Sequence, residues 1–580
     1  MPRQLREFAP FLWAAAAILA LWLCLPLLTP VHVEGFSASL AALAIHLKTG
    51  SIESFDLLQP LNTQYFGLTK LGSIIFLSGL LSTLPMGSDL ALKLMMWSGL
   101  AALLLASVLL VRRWSGAPWR YVLPPLLLFP GILESSFFYN DNVPSAGAAA
   151  VALCLLYGRS RWSAAAAGAL FGLAVLTRTD TILVCAAAPI IVYERFGLSR
   201  AAVTHLAVVA AAGGTVLIGT LALFHASLFD VLRIGFIAVE VWDRPPSGAQ
   251  GLFILIFFVG VAGLVAATCG AVRLARRHQR IALLRLCIVP LLVLLVMPGK
   301  LWEIRQLLLL TPFLCALAAI GLQAIFEGKE TKTRRLLRPA IMAMILVGLV
   351  GPPAAMTSAD GPRVLSGRVW MIPSWRGWQA ATRRDFALLD ALIDLAASAQ
   401  RSAIIPDDWN EDRYLHLLLL DRGYHVAVPS ALPPACRLVA EHFVRGKSEV
   451  ILVRNHQSFV SYSKMLSAER FARLSRPCLG SLAVPAYVVM SSSRAEQLLP
   501  GQAGLRFVGS GISDVRADPV VTPLSYGPLV AFKLDPALET RLLEAFRAYR
   551  PPKPLTPSKG SPGMEAGMYA TRSRLRFPAA

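Results

Sequence analysis

The chain has 580 residues, of which 56% are hydrophobic and only 15% charged, and its mean hydropathy is +0.59. Soluble domains carry about 25% charged residues and seldom exceed about 50% apolar ones, so this composition excludes a soluble globular enzyme. The formal charge of +21 reads as loop arginines that fix membrane orientation rather than as a nucleic-acid surface.

Arg3 and Arg6 precede an apolar run over 8–28. That run is longer than a signal-peptide core and lacks a small-residue cleavage site, so it is read as an uncleaved anchor with the N-terminus in the cytoplasm. The first outer loop, about 29–65, starts with His32 and Glu34 and continues into an amphipathic stretch (Phe36, Leu40, Leu43, Leu47) whose period predicts a helix on the membrane surface. Glu34 reads equally as a helix-start carboxylate favoured by the dipole and as a general base or metal ligand just above the bilayer. The segments 66–84 and 90–111 both look like spans. If both crossed, Arg112 and Arg113 would lie outside and every later basic cluster would be inverted. The segment 66–84 is therefore expected to re-enter or to lie along the outer surface.

Basic clusters at Arg112–Arg113, Arg159 with Arg161, Arg195 with Arg200, Arg273–Arg280 and Lys329–Arg338 then bracket pairs of apolar segments. The pairs are 118–133 and 143–158, 162–177 and 181–193, 201–224 and 251–271, 282–297 and 306–325. A last span over 339–357 brings the total to about eleven and leaves the remainder of the chain outside. The connecting loops on that face hold the unusual residues. Asn140, Asp141 and Asn142 precede Pro144; Asn142 is accounted for as a helix cap, whereas Asp141 is not. Arg178 and Asp180 lie in LTRTD, where an arginine on the outer face goes against the positive-inside trend and suits a phosphate clamp. Lys300, Glu303 and Arg305 precede a late span, and Asp230, Arg233, Glu240, Asp243 and Arg244 lie in the loop 225–250.

In order and sidedness these residues resemble a GT-C glycosyltransferase, the membrane class that takes sugars from polyprenyl-phosphate carriers. Glu34 matches the class's acidic residue after the first span and Asp141 in YNDN its second acidic site. GALFGLAVLTRTD (168–180) resembles a family stretch in which Arg178 stands where Lys is common, and KLWEIRQLLLLTPFL (300–314) resembles the basic stretch before a late span. Many relatives have an Asp, or an Asp–Glu pair, in the first loop, whereas here Val33 precedes a single Glu34. The resemblance covers about 1–325. It implies Glu34 and Asp141 as catalytic residues. It implies Arg178, Asp180, Lys300, Glu303, Arg305, Asn140 and Asn142 around the lipid phosphate, no dedicated metal ligands, and a divalent ion as an optional cofactor at most. The partners implied are a polyprenyl-phosphate sugar donor, membrane lipids and a glycolipid, glycan or protein acceptor, in the inner membrane of a bacterium. A lipid-linked sugar transporter and a non-catalytic envelope assembly protein stand as alternatives. A transporter is expected to carry internal repeats and polar groups at the midplane.

Residues 1–357 carry 42 charged residues, while the shorter stretch 358–580 carries 47, so the latter reads as water-soluble. A helix is expected over 387–398 and strands over 402–406, 449–455 and 483–492, giving an extracytoplasmic α/β domain over 358–550. A Pro/Lys/Ser-rich tail over 551–580 reads as disordered. DDWNEDR (407–413) reads as a solvated acidic loop in preference to a metal site. Cys436 and Cys478 are placed to pair if that compartment is oxidising.

Overall fold

The computed structural model describes residues 35–50, 67–129, 131–132, 141–229, 231, 248–296, 304–327, 336 and 338–341. In the last third it describes 388–406, 409–427, 429–437, 440–453, 476–491, 495, 499, 503–508, 511–516 and 529–548. The expected first span 8–28, most of the last span, and the tail 551–580 lie outside the described residues.

The chain folds into a helical part and a smaller α/β unit. The helices are α1 (Gly35–Thr49), α2 (Leu71–Thr83), α3 (Ser88–Ser115), α4 (Trp119–Leu128), α5 (Asn142–Leu155), α6 (Arg161–Thr177), α7 (Ala187–Phe196), α8 (Arg200–Leu223), α9 (Gly248–Arg276), α10 (Arg280–Val296) and α11 (Thr311–Glu327). Among the described residues, four stretches are long and apolar enough to cross a membrane: Ser88–Ser115, Arg200–Leu223, Phe258–Arg276 and Arg305–Glu327. The apolar helices α2, α5 and α6 are shorter.

Two expected spans are not single α-helices. Over 181–193 the chain runs as a 3₁₀ stretch, Thr179–Ala186, before α7 begins. Thr179 and Thr181 lose side-chain freedom in a helix, and the Thr181 hydroxyl lies 2.5 Å from that of Ser145 on α5. Before α11 a second 3₁₀ stretch, Ile304–Leu310, carries the chain into the helix. Pro312 then falls in the first turn of α11, where its missing N–H costs nothing. Helix α9 is broken at Gly260, whose φ of 69° no other residue type adopts readily.

Helix ends sort by chemistry. Arg112 stacks on Trp119 at 4.5 Å, Arg113 on Tyr157 at 3.8 Å, and Arg285 pairs with Glu194. Each lies where α3, α5 and α7 end and α4 and α10 begin. A run of 28 residues rises about 42 Å as a helix, and at the other end of α3 Ser88 donates to Asp421 of the α/β unit. The basic, aromatic end and the α/β unit are thus separated by the full length of α3. Helix α2 follows Lys70 and ends at Thr83, and the Lys48 ammonium of α1 donates to its Leu81 carbonyl at 2.7 Å. Helices α6 and α8 pack with their backbones in contact: a Cβ placed on Gly172 would lie 2.6 Å from the Gly213 carbonyl oxygen.

The α/β unit holds one mixed sheet in the order β2-β3-β4-β1-β5-β8-β6-β7. Its strands are β1 (Arg401–Pro406), β2 (His425–Val426), β3 (Ala440–Arg445), β4 (Ser448–Val453), β5 (Ala486–Ser491), β6 (Ala503–Val508), β7 (Gly511–Arg516) and β8 (Leu529–Leu534). The centre, β4-β1-β5, is parallel, and antiparallel strands flank it. β1 and β4 are buried almost throughout, as parallel strands covered on both faces are. Helix α12 (Trp409–Asp421) packs on β1 and β4, and α13 (Pro536–Ala548) ends the described chain. Cys436 and Cys478 form a disulfide.

The acidic segment 407–413 corrects its reading as a solvated loop. From Trp409 it is helix, and Glu411, Asp412 and Arg413 are buried, Asp412 and Arg413 at 0% and 2% exposure. Acids in the first turn of α12 are favoured by the helix dipole, and the turn is enclosed because α12 packs on the sheet and on α1.

Candidate active site

Three helix termini converge on one group of charges. Lys70 closes the 3₁₀ turn Gly67–Lys70 and precedes α2; Asp141 precedes α5; Arg178 follows α6. The Lys70 ammonium donates to Asp141 Oδ2, and Arg178 Nη1 lies 3.4 Å from Asp141 Oδ1. Arg178 also grips Asp180 as a fork, with Nε to Oδ1 at 3.0 Å and Nη2 to Oδ2 at 2.9 Å. Arg305, at the start of the 3₁₀ stretch before α11, acts electrostatically on Asp141. The side chains of Lys70, Asp141, Arg178 and Asp180 are 10–16% exposed.

The local sequence explains the convergence. Gly72 lets α2 start against the end of α6, since a Cβ there would come within 2.8 Å of the Thr177 backbone nitrogen. Ser145 of α5 donates to the Ala174 carbonyl of α6 at 3.0 Å, which ties the helix after Asp141 to the helix before Arg178. Asn142 is buried as the first residue of α5.

Burial would push the Asp141 carboxyl up, but Lys70 and Arg178 outweigh it and hold the group at about 2. Burial and the neighbouring Arg178 pull Lys70 below the ordinary lysine value, while Asp141 pulls it back up. A carboxylate held this far below neutral pH accepts protons poorly and orients cations well. Lys70, Arg178 and Arg305 gather around Asp141, and a cluster of cations is the chemistry that holds an anion such as a phosphate.

Of the residues singled out in the sequence, Asp141, Arg178 and Asp180 are brought together, and Arg305 acts on them from the next element. Glu34, Asn140, Lys300 and Glu303 lie outside the described residues, as does His32. Lys70 was missed, although an ionisable residue inside the apolar run FGLTKLGSIIFLSGLL is a functional signal in its own right. Among the described residues no group of three or more His, Cys, Asp or Glu side chains is placed to hold a metal ion. The two described carboxylates of the cluster are engaged by Lys70 and Arg178.

No family model matches the sequence, and no curated protein matches it. Solved structures do resemble the fold. ArnT from Cupriavidus metallidurans in the apo state is 14% identical with a TM-score of 0.53, over 90% of this chain and 98% of its own. The same protein bound to undecaprenyl phosphate gives 15% and 0.49, over 91% and 98%. The archaeal oligosaccharyltransferase AglB from Archaeoglobus fulgidus, in complex with an inhibitory peptide and a dolichol-phosphate, gives 11% and 0.42, over 92% and 77%. The likeness to apo ArnT spans both the helical part and the α/β unit. The chain shares the fold of that structure over 90% of its length.

Proposed function

We propose that the protein is a membrane glycosyltransferase that moves a sugar from a polyprenyl-phosphate carrier to an acceptor hydroxyl on the extracytoplasmic face. The observation that carries this reading is the buried cluster of Lys70, Asp141, Arg178 and Asp180 at helix termini of a GT-C fold, with Arg305 acting on it from the next element. In the proposed step the acceptor oxygen bonds to the anomeric carbon as the bond from that carbon to the phosphate oxygen breaks. The acceptor proton passes to Glu34, and the carrier leaves as lipid phosphate. Lys70, Arg178 and Arg305 would neutralise the charge that grows on the leaving phosphate, and Asp141 would hold Lys70 and Arg178 in place. The sugar goes over with inversion, since one base and no covalent intermediate suffice. The charged groups of the cluster lie at helix ends, which favours an interfacial enzyme over a transporter.

Two features support the extracytoplasmic side. The α/β unit holds a disulfide, which persists in oxidising compartments. The arginine-rich end of the helices lies opposite it, as cytoplasmic ends do.

The test compares wild type with Glu34→Gln and Asp141→Asn in a strain lacking the gene, at matched protein levels. Envelope glycolipids and glycans are then profiled by mass spectrometry. A sugar-sized mass present with wild type and lost with both variants is the expected result and would identify the sugar. Restoration of the wild-type profile by both variants would overturn the assignment.

A further inference from the structure

The α/β unit meets the helical part where α12 packs along α1, and two histidines face each other there. His46 Nε2 lies 3.1 Å from His416 Nε2, with both rings buried. His416 Nδ1 lies 2.9 Å from Glu441 Oε2 on β3. Phe443, two residues along the strand and on the same face, stands edge-on to the His416 ring at 5.0 Å between centroids. A carboxylate on one imidazole nitrogen fixes the ring's orientation and decides what the other nitrogen can do. In the neutral pair Glu441 accepts from Nδ1 of His416, whose Nε2 then accepts from Nε2 of His46.

Helix α1 is held from its other side as well. Lys48, two residues beyond His46, donates to the Leu81 carbonyl of α2, and α1 packs against both α2 and the Gly67–Lys70 turn. It is thus enclosed between the α/β unit and the element that delivers Lys70 to Asp141. Its first residue, Gly35, follows Glu34 in the chain.

We infer that His46 and His416 are positioning residues, with Glu441 orienting the His416 ring: through this pair the α/β unit sets the place of α1, and with it the Lys70 turn. This rests on the reading of the Lys70–Asp141 cluster as part of a transferase site. The α/β unit then acts as a working part of the enzyme, although it contributes no side chain to the charge cluster described.

The test uses full-length protein in lipid nanodiscs and asks which nitrogen of residue 416 matters. Glutamine carries a polar atom where Nε2 stood, and asparagine one where Nδ1 stood. His416→Asn and His416→Ala should raise amide exchange over 35–49 by about tenfold or more, with β1 and α3 unchanged as controls for folding. His416→Gln should stay close to wild type. In cells, Asn and Ala should lower the sugar-transfer product by about 10- to 100-fold, the scale expected when a site group moves by ~1 Å, with Gln restoring most of it. Adding His46→Ala to His416→Ala should do no more to exchange over 35–49 than His416→Ala alone, since the contact between the two rings is already gone. Unchanged exchange over 35–49 in His416→Ala, or equal behaviour of Asn and Gln, would overturn the proposal. If exchange follows the expected pattern while wild type yields no sugar-sized product, the positioning stands and the transferase reading falls.

Discussion

Asp141 is a carboxylate whose environment gives opposite orders: burial favours its neutral form, and Lys70 and Arg178 favour its charged form. The cations win, and the group sits at about 2. Because this value is depressed, the associated stability is present above the ordinary carboxylate range and is lost as pH falls through about 2. Replacing Lys70 by Met should leave burial opposed only by Arg178 and Arg305, so the carboxyl's value should rise and the acid limb should shift to higher pH. Breaking one partner from a buried pair costs about 3–5 kcal/mol. Thermal unfolding of Lys70→Met between pH 3 and 7 should therefore show a loss, relative to wild type, that is largest near neutral pH and shrinks toward the acid end, where the carboxyl takes up its proton. An acid limb identical to wild type would mean that Lys70 does not set the charge on Asp141. Arg178 differs from Lys70 in that its fork already holds Asp180. A lysine in its place would keep the charge and lose the two-point grip.

At the scale of elements, the sequence was most legible where a residue type has one physical reason to be present. The β-branched runs at 402–406, 449–455 and 483–492 overlap β1, β4 and β5, because strands of that composition suit a sheet buried on both faces. The apolar run 90–111 lies wholly within α3. Legibility failed where tertiary contact overrides local character. The acids of 411–412 look like solvated loop on composition, yet packing against α1 and the sheet buries them. The run 181–193 has the composition of a span, but begins as a 3₁₀ stretch tied to α5 through Thr181. Lys70 was overlooked because its partners, Asp141 and Arg178, are 71 and 108 positions away and no periodicity links them. The closeness of α2 to α6 is itself checkable. Gly72→Ala places a methyl group within 2.8 Å of the Thr177 backbone nitrogen and should cost about 1–3 kcal/mol, as overpacking does. It should also lower transfer by displacing Lys70. Unfolding temperature and product yield, measured together, should both fall; a neutral outcome in both would contradict the packing described.

At the scale of the molecule, charge and oxidation state divide the protein along α3. Stacked and paired arginines gather at one end, and the disulfide-bearing unit sits at the other. The bond between Cys436 and Cys478 closes a loop of sequence separation 42, for which chain entropy in the unfolded state alone suggests about 4 kcal/mol. Cys436→Ser should therefore lower the unfolding temperature of the α/β unit, read by scanning fluorimetry, with the helical part less affected. If the unit holds α1 in place, amide exchange over 35–49 should rise in the same variant. Equal unfolding temperatures for variant and wild type would show that the crosslink adds nothing to the unit.

The backbone contact between α6 and α8 bears on where movement is possible. At Gly172 and Gly213 no side chain separates the helices, so neither can turn or slide without the other; together they behave as one beam, with Arg178 at its tip. Small side chains give such a joint nothing to repack, and a packed interior transmits displacement instead of absorbing it. Arg178 and Asp180 are then set by the beam. Lys70 is set from elsewhere: it comes with α1 and α2, which approach the beam at Gly72 and are held by the α/β unit through α12.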